Sequence, residues 1–360
     1  MNKIFTLVLG FIALGAYAQA PANYYNNATG TGYTLKTQLH NIIRGHNTQS
    51  YNQLYTCYEE SDRDYFYEND GTVLDIYSEN PTGADPYNFS ATNRNDRCGN
   101  YANEGDCYNR EHLLPQSVFN ERSPMVSDAH HILPTDGKVN GYRGNLPFGR
   151  VNNTNYTSRN GSKRGSNLNS GYTAGFSGTV FEPIDEFKGD VARCLLYMAV
   201  RYQDVIAGWG DWAMLDGTND HVFTNWALTT LLTWHQQDPV SDRETTRNNA
   251  VYDFQGNRNP FIDHPEYAAQ IWGTVAGTED IFASALSVYP NPAVNNKVNI
   301  YSEAVLDEIQ LISINGQLVQ RIQKPQAINS TYTLEQLPQG LYLLKATSGN
   351  QTVTKKIVVN

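Results

Sequence analysis

The chain has 360 residues, of which 40% are hydrophobic and 17% are charged. This composition is typical of a soluble globular protein, and the length favours two domains over one. The formal net charge of −10 argues against a protein whose whole surface attracts a polyanion.

Residues 1–20 are predicted to be a secretory signal peptide. Lys3 precedes an apolar run over residues 4–16, and small residues follow it. A basic start, a short apolar core and a small-residue exit are the features of such a signal. The alternatives are a buried N-terminal helix and a membrane anchor, but the run is shorter than the roughly 20 residues that a membrane span requires. No later segment is long enough either, so we expect a secreted protein without a membrane span.

The four cysteines, Cys57, Cys98, Cys107 and Cys194, all follow the predicted signal. An oxidising destination favours disulfide bonds between them. Cys98 and Cys107 flank a loop rich in Gly and Asn, which favours a bridge between these two and leaves Cys57 to pair with Cys194. Four cysteines allow three connectivities, so the other two stay open. A cysteine-based zinc site is not expected, because no two cysteines have the close spacing of such sites.

Residues 21–275 are predicted to form one α+β domain. The expected elements are helices at 33–43 and 51–60, a strand at 73–77, and helices at 189–204, 223–234 and 268–272. The helix at 189–204 has the most regular pattern, because Val191, Leu195, Met198 and Tyr202 recur at helical spacing. We expect this apolar stripe to be core.

The stretch 109–148 carries the residues suited to chemistry. Two strands are expected there, at 109–114 and 129–133, each ended by a proline that cannot donate to a strand ladder. A short helix follows, with Thr135 or Asp136 as its cap. The order strand, strand, helix predicts a compact ββα unit.

This ββα unit would bring Asn140 of the helix back beside Glu111 and His112 of the first strand. His112 suits the role of general base, since imidazole titrates near neutral pH. Glu111 and Asn140 offer the oxygen ligands that a hard divalent cation such as Mg²⁺ prefers. Adjacent residues of a regular strand point to opposite faces, so Glu111 and His112 share a site only if the strand is irregular or ends there.

Cationic residues are concentrated in the segment 108–165. It contains eight Lys or Arg residues against four Asp or Glu residues, a local charge of +4 in an acidic chain. Such a basic segment suits contact with phosphate groups, and an ordinary solvated surface is the alternative.

The composition changes after Gly277, so residues 276–285 are expected to be a linker and 286–360 a second domain. Its predicted strands are 298–301, 309–314, 317–322, 341–346 and 353–359. Asn315-Gly316 joins two of them and is a strong signal for a two-residue hairpin. Many short strands predict a small all-β sandwich. The segment contains no His or Cys, so no catalytic cluster is expected in it.

Five motifs follow one another across residues 40–272. They are 110–117 (REHLLPQS), 128–130 (DAH), 139–145 (VNGYRGN), 188–193 (KGDVAR) with Tyr197-Met198, and 255–261 (QGNRNPF). In this order they resemble the endonuclease I family of secreted or periplasmic nucleases, which belongs to the His-Me finger (ββα-metal) superfamily. The resemblance implies a nuclease that cleaves phosphodiester bonds.

The resemblance also implies roles for particular residues. In that family the histidine after the glutamate is the general base, which corresponds to His112. The glutamate and the asparagine of the V-N-G motif bind the metal, which corresponds to Glu111 and Asn140. In the family, an arginine between the two strands steadies the cleaved phosphate. Arg122 is the candidate here, although the segment between the strands that contains it is shorter than in the family.

Three further motifs lie near the C-terminus. They are 288–292 (VYPNP), 314–317 (INGQ) and 337–342 (LPQGLY). Together they resemble the C-terminal sorting domain of type IX secretion. The resemblance implies export by the type IX machinery to the cell surface or the medium, with removal of the tail left open.

Other polar residues have structural interpretations. Arg143 either contacts phosphate or caps its helix, and Arg193 is expected to anchor a buried carboxylate. His130 is predicted to be a supporting or packing residue. It is not expected to share a metal with His131, because neighbours on a strand diverge. Asp263-His264 is interpreted as a structural turn.

The sequence therefore predicts a secreted, monomeric endonuclease without sequence specificity that uses Mg²⁺, or else Ca²⁺ or Mn²⁺. DNA is the expected substrate, with RNA left open, and the product is expected to carry a 5′-phosphate. One alternative is a surface adhesin or glycan-binding protein without nuclease activity, and another is an inactive nuclease scaffold. The chain contains no G-x-S-x-G, P-loop or H-E-x-x-H motif to support other common hydrolase or nucleotide-binding functions.

Overall fold

The computed structural model describes residues 20–273, 286–302, 305–348 and 351–359. The predicted signal peptide, apart from Ala20, and the predicted linker 276–285 lie outside these residues. Below, residues 20–273 are called the N-terminal region and the described residues of 286–359 the C-terminal region. Across these described residues, no helix is both long and apolar enough to cross a bilayer.

The N-terminal region has the predicted α+β composition. Its helices are α1 (Gly32–Ile43), α2 (Leu54–Ser61), α3 (Gly137–Arg143), α4 (Lys188–Arg201), α5 (Asn225–Gln237), α6 (Asp242–Gln255), α7 (Pro260–Asp263) and α8 (Glu266–Trp272). Its strands are β1 (Tyr108–His112), β2 (Ile132–Asp136), β3 (Val151–Thr157), β4 (Lys163–Asn167) and β5 (Thr179–Glu182). β1 pairs with β2, and β3, β4 and β5 form a separate antiparallel sheet.

Helix α4 lies at the centre of the N-terminal region. All 14 of its residues are buried, and it packs against α1, α5 and α7. The predicted apolar stripe is therefore confirmed as core, and each such side chain stabilises the fold by about 1.5–3 kcal/mol. Arg193 is also buried here and donates from Nη2 to Glu244 Oε2 at 2.7 Å. This contact confirms that Arg193 anchors a buried carboxylate.

The predicted ββα unit is present. β1 and β2 run antiparallel, with Glu111 opposite Leu133 and His112 opposite Ile132, and α3 packs against both strands. Asp136 caps α3, because its Oδ1 accepts hydrogen bonds from the backbone N–H groups of the first turn at 2.8 and 2.9 Å.

The prediction that Pro134 ends the second strand is wrong. Ala129–His131 form one turn of 3₁₀ helix, and β2 starts at Ile132 and continues through Pro134 to Asp136. In a two-stranded ladder each strand keeps a free edge, where the missing N–H of a proline is tolerated. The first strand ends at His112, two residues earlier than predicted.

One of the two suggested disulfide bonds is present. Cys98 and Cys107 are bonded, and Gly137 at the start of α3 lies against this bridge, where a Cβ atom would collide with Cys98 Sγ. The suggested pairing of Cys57 with Cys194 is wrong, because both thiols are free and buried. They pack in separate apolar clusters, Cys57 among the residues of α2 and Cys194 in the core around α4.

The strand predicted at 73–77 is instead a turn. Asp75 Oδ1 accepts a hydrogen bond from Tyr77 N at 2.8 Å, and the Asp75 carbonyl accepts from Ser78 N and Glu79 N. Only Val73 forms an isolated bridge, to Arg63. An aspartate side chain that binds nearby backbone N–H groups competes with strand pairing, which is the reason for the difference.

The C-terminal region is all-β, as predicted. Its strands are β6 (Leu286–Val294), β7 (Lys297–Ser302), β8 (Glu308–Ser313), β9 (Leu318–Gln323), β10 (Thr331–Leu334), β11 (Gly340–Ser348) and β12 (Gln351–Val359). They hydrogen-bond in the order β10-β7-β6-β12-β11-β8-β9, and β6 pairs with β12 only where Ala293 faces Val359. Apolar side chains from strands on both sides of β12, such as Ile300 of β7 and Leu311 of β8, share one buried cluster.

A hairpin between β8 and β9 at Asn315-Gly316 is confirmed, but its connection is longer than the predicted two residues, since Ser313 N donates to the Gln317 carbonyl across it. Gly316 has φ +82°, a conformation that glycine adopts without steric cost. Strands β6 and β10 were not predicted. Pro290 and Pro292 interrupt the alternating pattern of β6, and β10 has only four residues.

Asp128 forms a buried polar centre that ties the ββα unit to α4 and α6. Its carboxylate is 0% exposed and accepts hydrogen bonds from Tyr197, Tyr202 and Gln255, each at 2.8 Å. Burial by itself raises the pKa of Asp128. The neighbouring histidines, His46 first, and the Gln255 amide outweigh burial and hold the pKa below its usual range.

Replacing Asp128 with Asn should lower the free energy of unfolding by about 2–4 kcal/mol. The reason is that the three donors to the carboxylate would then face a neutral amide, one half of which is itself a donor. Urea unfolding followed by circular dichroism measures this change. Since the folded pKa lies below the unfolded value of about 3.9, the wild-type contribution is present above that pH and is lost as the pH falls. The free energy of unfolding of Asp128→Asn should therefore fall less steeply than that of the wild type as the pH is lowered through the acid range. An equally steep fall in both proteins would contradict this account.

Candidate active site

Glu111 and His112 lie together at the end of β1. They are 2% and 6% exposed, so both functional groups are largely withdrawn from water. The strand ends at His112, which satisfies the condition that adjacent residues can share a site only where a strand ends or is irregular. The Tyr51 ring stacks on the His112 ring with 5.7 Å between centroids. Tyr51 therefore covers one side of the His112 ring.

The Glu111 carboxylate is held by two partners. Its Oε1 accepts a hydrogen bond from the Tyr77 hydroxyl at 3.0 Å and forms an ion pair with Arg143 Nη1 at 3.0 Å. Burial raises the Glu111 pKa to about 7, although Arg143 and Tyr77 act in the opposite direction. Within the described part of the chain, the hydrogen bonds and ion pair of Glu111 use Oε1, so Oε2 is available to a ligand.

The His112 imidazole is oriented by the backbone of the segment between β1 and β2. Its Nε2 lies 3.2 Å from the Val126 carbonyl oxygen. A carbonyl can only accept, so Nε2 carries the proton and Nδ1 keeps its lone pair in the neutral ring. Burial, followed by the charge of His131, lowers the His112 pKa to about 3. The ring is therefore neutral at neutral pH.

Arg143 takes neither of the two roles suggested from the sequence. It is 1% exposed and donates to the carbonyl oxygens of His112, at 2.7 Å, and Leu113, besides its ion pair with Glu111. A guanidinium presents several donors in a fixed fork, which suits this combination of acceptors. Arg143 is therefore a positioning residue that fixes the end of β1 against α3.

Asn140 lies on α3 three residues before Arg143 and is half-buried. Residues three apart on a helix are neighbours on its surface, so Asn140 lies near Arg143 on α3. No side-chain hydrogen bond holds the Asn140 amide among the residues that the structure describes. No hydrogen bond or ion pair among the described residues joins Asn140 to Glu111 or His112, so its place in the site stays a prediction.

Arg122 is exposed, in the segment between β1 and β2. Its carbonyl accepts a hydrogen bond from Val126 N at 3.0 Å, and Val126 in turn contacts His112. Arg122 also lines a cavity of about 870 Å³, together with Arg44 and Arg201. The cavity borders the site, since Phe119 and Met125 in its wall contact the His112 and His131 rings.

The two neighbouring histidines bind different backbone groups. His130 Nε2 contacts the Asn257 carbonyl at 3.0 Å, and His131 Nε2 contacts the Met125 carbonyl at 2.9 Å. Their rings are therefore fixed separately, as expected for supporting residues. Asp263 pairs with Arg258, which agrees with a structural turn at Asp263-His264.

Comparison with known proteins identifies the N-terminal region. Residues 31–266 match the Endonuclease I family. The chain belongs to the endonuclease I family. It is 38% identical to an extracellular ribonuclease of Bacillus subtilis over 254 residues. These residues cover 69% of this chain and 78% of that protein. It is 37% identical over 254 residues to an extracellular ribonuclease of Bacillus amyloliquefaciens, with the same coverage. An endonuclease-1 of Buchnera aphidicola is 25% identical over 140 residues, which cover 38% of this chain and 45% of that protein.

Residues 287–360 match a secretion system C-terminal sorting domain, which confirms the predicted type IX sorting tail. Together with the extracellular relatives, this match identifies a secreted or cell-surface nuclease. Membership of a nuclease family favours the enzyme interpretation over an adhesin.

Sequence reasoning missed Tyr77 and Tyr51, which contact Glu111 and His112. Tyr77 lies in the turn that was predicted as a strand, 34 residues from Glu111 in the chain. No local pattern indicates such a partner. The only available signal was the Asp75 side chain, whose tendency to form turns argues against a strand at this position.

Replacing Arg143 with Met should lower the free energy of unfolding by about 3–5 kcal/mol, because Glu111 then remains buried without its counter-charge. Urea unfolding measures the loss. The double variant Glu111→Gln/Arg143→Met, which removes both charges, should recover part of the stability. If the single variant is as stable as the wild type, the ion pair does not hold β1 against α3.

Proposed function

We propose that this secreted nuclease hydrolyses phosphodiester bonds of DNA and RNA without sequence specificity, as a monomer that requires a divalent cation. His112 is the general base, and Glu111 and Asn140 hold the cation. The observation that carries the proposal is the end of β1, where one guanidinium, that of Arg143, binds the Glu111 carboxylate and the His112 carbonyl.

The His112 ring supports a role as proton acceptor. Because Nε2–H donates to the Val126 carbonyl, Nδ1 is the atom that takes a proton from water. Burial keeps the ring neutral, and the negative charge of a bound phosphate raises its pKa toward the working pH. As the water oxygen bonds to phosphorus, the bond from phosphorus to the 3′ oxygen breaks. The product then carries a 5′-phosphate.

The oxygen atoms around Glu111 suit a hard divalent cation. Glu111 offers Oε2 and Asn140 offers its amide oxygen, and two protein ligands leave positions for water and phosphate oxygens, as magnesium prefers. Ca²⁺ and Mn²⁺ accept the same ligands. A cation bound here supplies positive charge that stabilises the developing negative charge on the phosphate and the leaving oxygen. Tyr77 and Arg143 orient the Glu111 carboxylate for this role.

The chemistry of the site acts on the phosphodiester group, which DNA and RNA share. Two relatives are named extracellular ribonuclease, which supports activity on RNA, and the name endonuclease-1 of a third specifies no nucleic acid. Phosphate contacts carry no sequence information, so a site that recognises phosphate alone cleaves without sequence preference.

The His112→Ala variant should cleave supercoiled plasmid and single-stranded RNA about 100- to 10,000-fold more slowly, because general base catalysis contributes a factor of this size. His264→Ala is the matched control, since His264 is a partly exposed histidine of the same region. Chelator should abolish cleavage, and Mg²⁺ should restore it. Undiminished cleavage by His112→Ala would remove this residue from the mechanism.

Arg122 is proposed to contact the scissile or a neighbouring phosphate from the wall of the 870 Å³ cavity. Arg122→Ala should lower kcat/KM about 10- to 100-fold, which is the contribution of one charge-assisted hydrogen bond. The kcat/KM of Arg122→Lys should lie between those of the wild type and the alanine variant. Initial rates on plasmid over a range of concentrations measure this effect. Arg159→Ala, which removes another exposed arginine, is the control and should leave kcat/KM within about twofold. An equal loss in both variants would indicate only general electrostatic attraction.

A further inference from the structure

A cluster of carboxylates lies between the start of the 64–72 loop and the end of the Asp75 turn. It consists of Asp64, Glu68 and Glu79, called here the acidic cluster. One carboxylate oxygen of each residue lies within 4.8 Å of those of the other two. Oxygen atoms that bind one calcium ion at 2.3–2.6 Å are separated by at most about 5 Å, so the three carboxylates can share a single ion.

Glu79 provides an independent indication of a ligand. Its side chain is 0% exposed, and no N–H or hydroxyl group in the described part of the chain donates to Oε1 or Oε2. A buried carboxylate without a partner costs several kcal/mol, which a protein avoids by protonation, by a counter-ion or by a bound metal. Burial, followed by the charges of Asp85, Glu68 and Asp64, raises the Glu79 pKa to about 9. The Glu79 carboxylate thus lies among further negative charges.

Asp64 is held in a fixed position by its own loop. Its Oδ1 accepts from Phe66 N and Tyr67 N, and its Oδ2 accepts from Asn69 N, all at 2.9 Å. Oδ2 keeps a second lone pair that can bind a cation. The loop therefore presents a rigid ligand, and the exposed Glu68 can close over it.

We propose that the acidic cluster binds a calcium ion at a second site, separate from the site that includes Glu111. Three carboxylates favour calcium over magnesium, since calcium accepts more protein oxygens and magnesium retains most of its water. The bound ion joins the Asp64 loop to the turn that ends at Glu79. That turn also carries Tyr77, which donates to Glu111, and Asp75, which accepts from Asp136 N at 2.7 Å. The ion thus stabilises the support of the nuclease site without contacting substrate.

The test uses the full-length secreted chain after treatment with chelator. Isothermal titration with CaCl₂ gives the number of bound ions, and thermal unfolding with and without calcium gives the shift in Tm. In the wild type, calcium at about 100 times its Kd should raise Tm by about 5–10 °C. Glu79→Gln should bind one calcium ion fewer and lose most of this shift. Glu60→Gln is the matched control, because it removes an exposed carboxylate of α2. This variant should keep both the number of bound calcium ions and the calcium-induced shift in Tm.

Two further variants separate the proposed site from the nuclease site. Asn140→Ala should retain the calcium-induced shift in Tm, because it alters only the site at Glu111. If Asn140→Ala loses the shift and Glu79→Gln retains it, calcium binds only at the nuclease site and the proposal is overturned. Absence of calcium binding by the wild type also overturns it, and Glu79 is then a protonated acid. Should Glu79→Gln fail to fold, the exposed Glu68→Gln must weaken calcium binding at least tenfold for the proposal to stand.

Discussion

The ion pair between Glu111 and Arg143 is the contact on which the arrangement of the site depends. Both side chains are buried, and Arg143 also donates to the carbonyl oxygens of His112 and Leu113. One guanidinium therefore fixes the end of β1 against α3, the helix that also carries Asn140. A buried charge of this kind is stable only when its partners are complete, so the geometry of the site and the stability of the ββα unit are linked.

A second support comes from the turn at Asp75. Its carboxylate accepts from the backbone N–H of Asp136, the residue that caps α3, and Tyr77 two residues later donates to Glu111. The same turn ends at Glu79 in the acidic cluster. The proposed calcium ion would therefore stabilise the candidate nuclease site through this turn, without contact with substrate.

The sequence predicted the fold where local patterns determine it. Helix α4, the hairpin at Asn315-Gly316 and the ββα order follow from helical spacing, turn chemistry and capping, which act between residues close in the chain. The strand predicted at 73–77 was lost to a local turn that Asp75 forms with nearby backbone N–H groups. Two other errors come from the packing of distant segments. Pro134 is tolerated inside β2 because the ladder has only two strands, and Cys57 and Cys194 remain apart because they pack in different apolar clusters.

The sequence by itself determined the class of the two regions, the nuclease family and the adjacency of Glu111 and His112. These features are encoded in short motifs and in the periodicity of apolar residues. Only the tertiary structure decided that Arg143 is a buried positioning residue and that Tyr77 holds Glu111. It also decided that Glu79 is buried among other acids, with no donor among the described residues. The physical reason is that burial and partnership depend on which distant segments pack together, and a linear pattern does not record this.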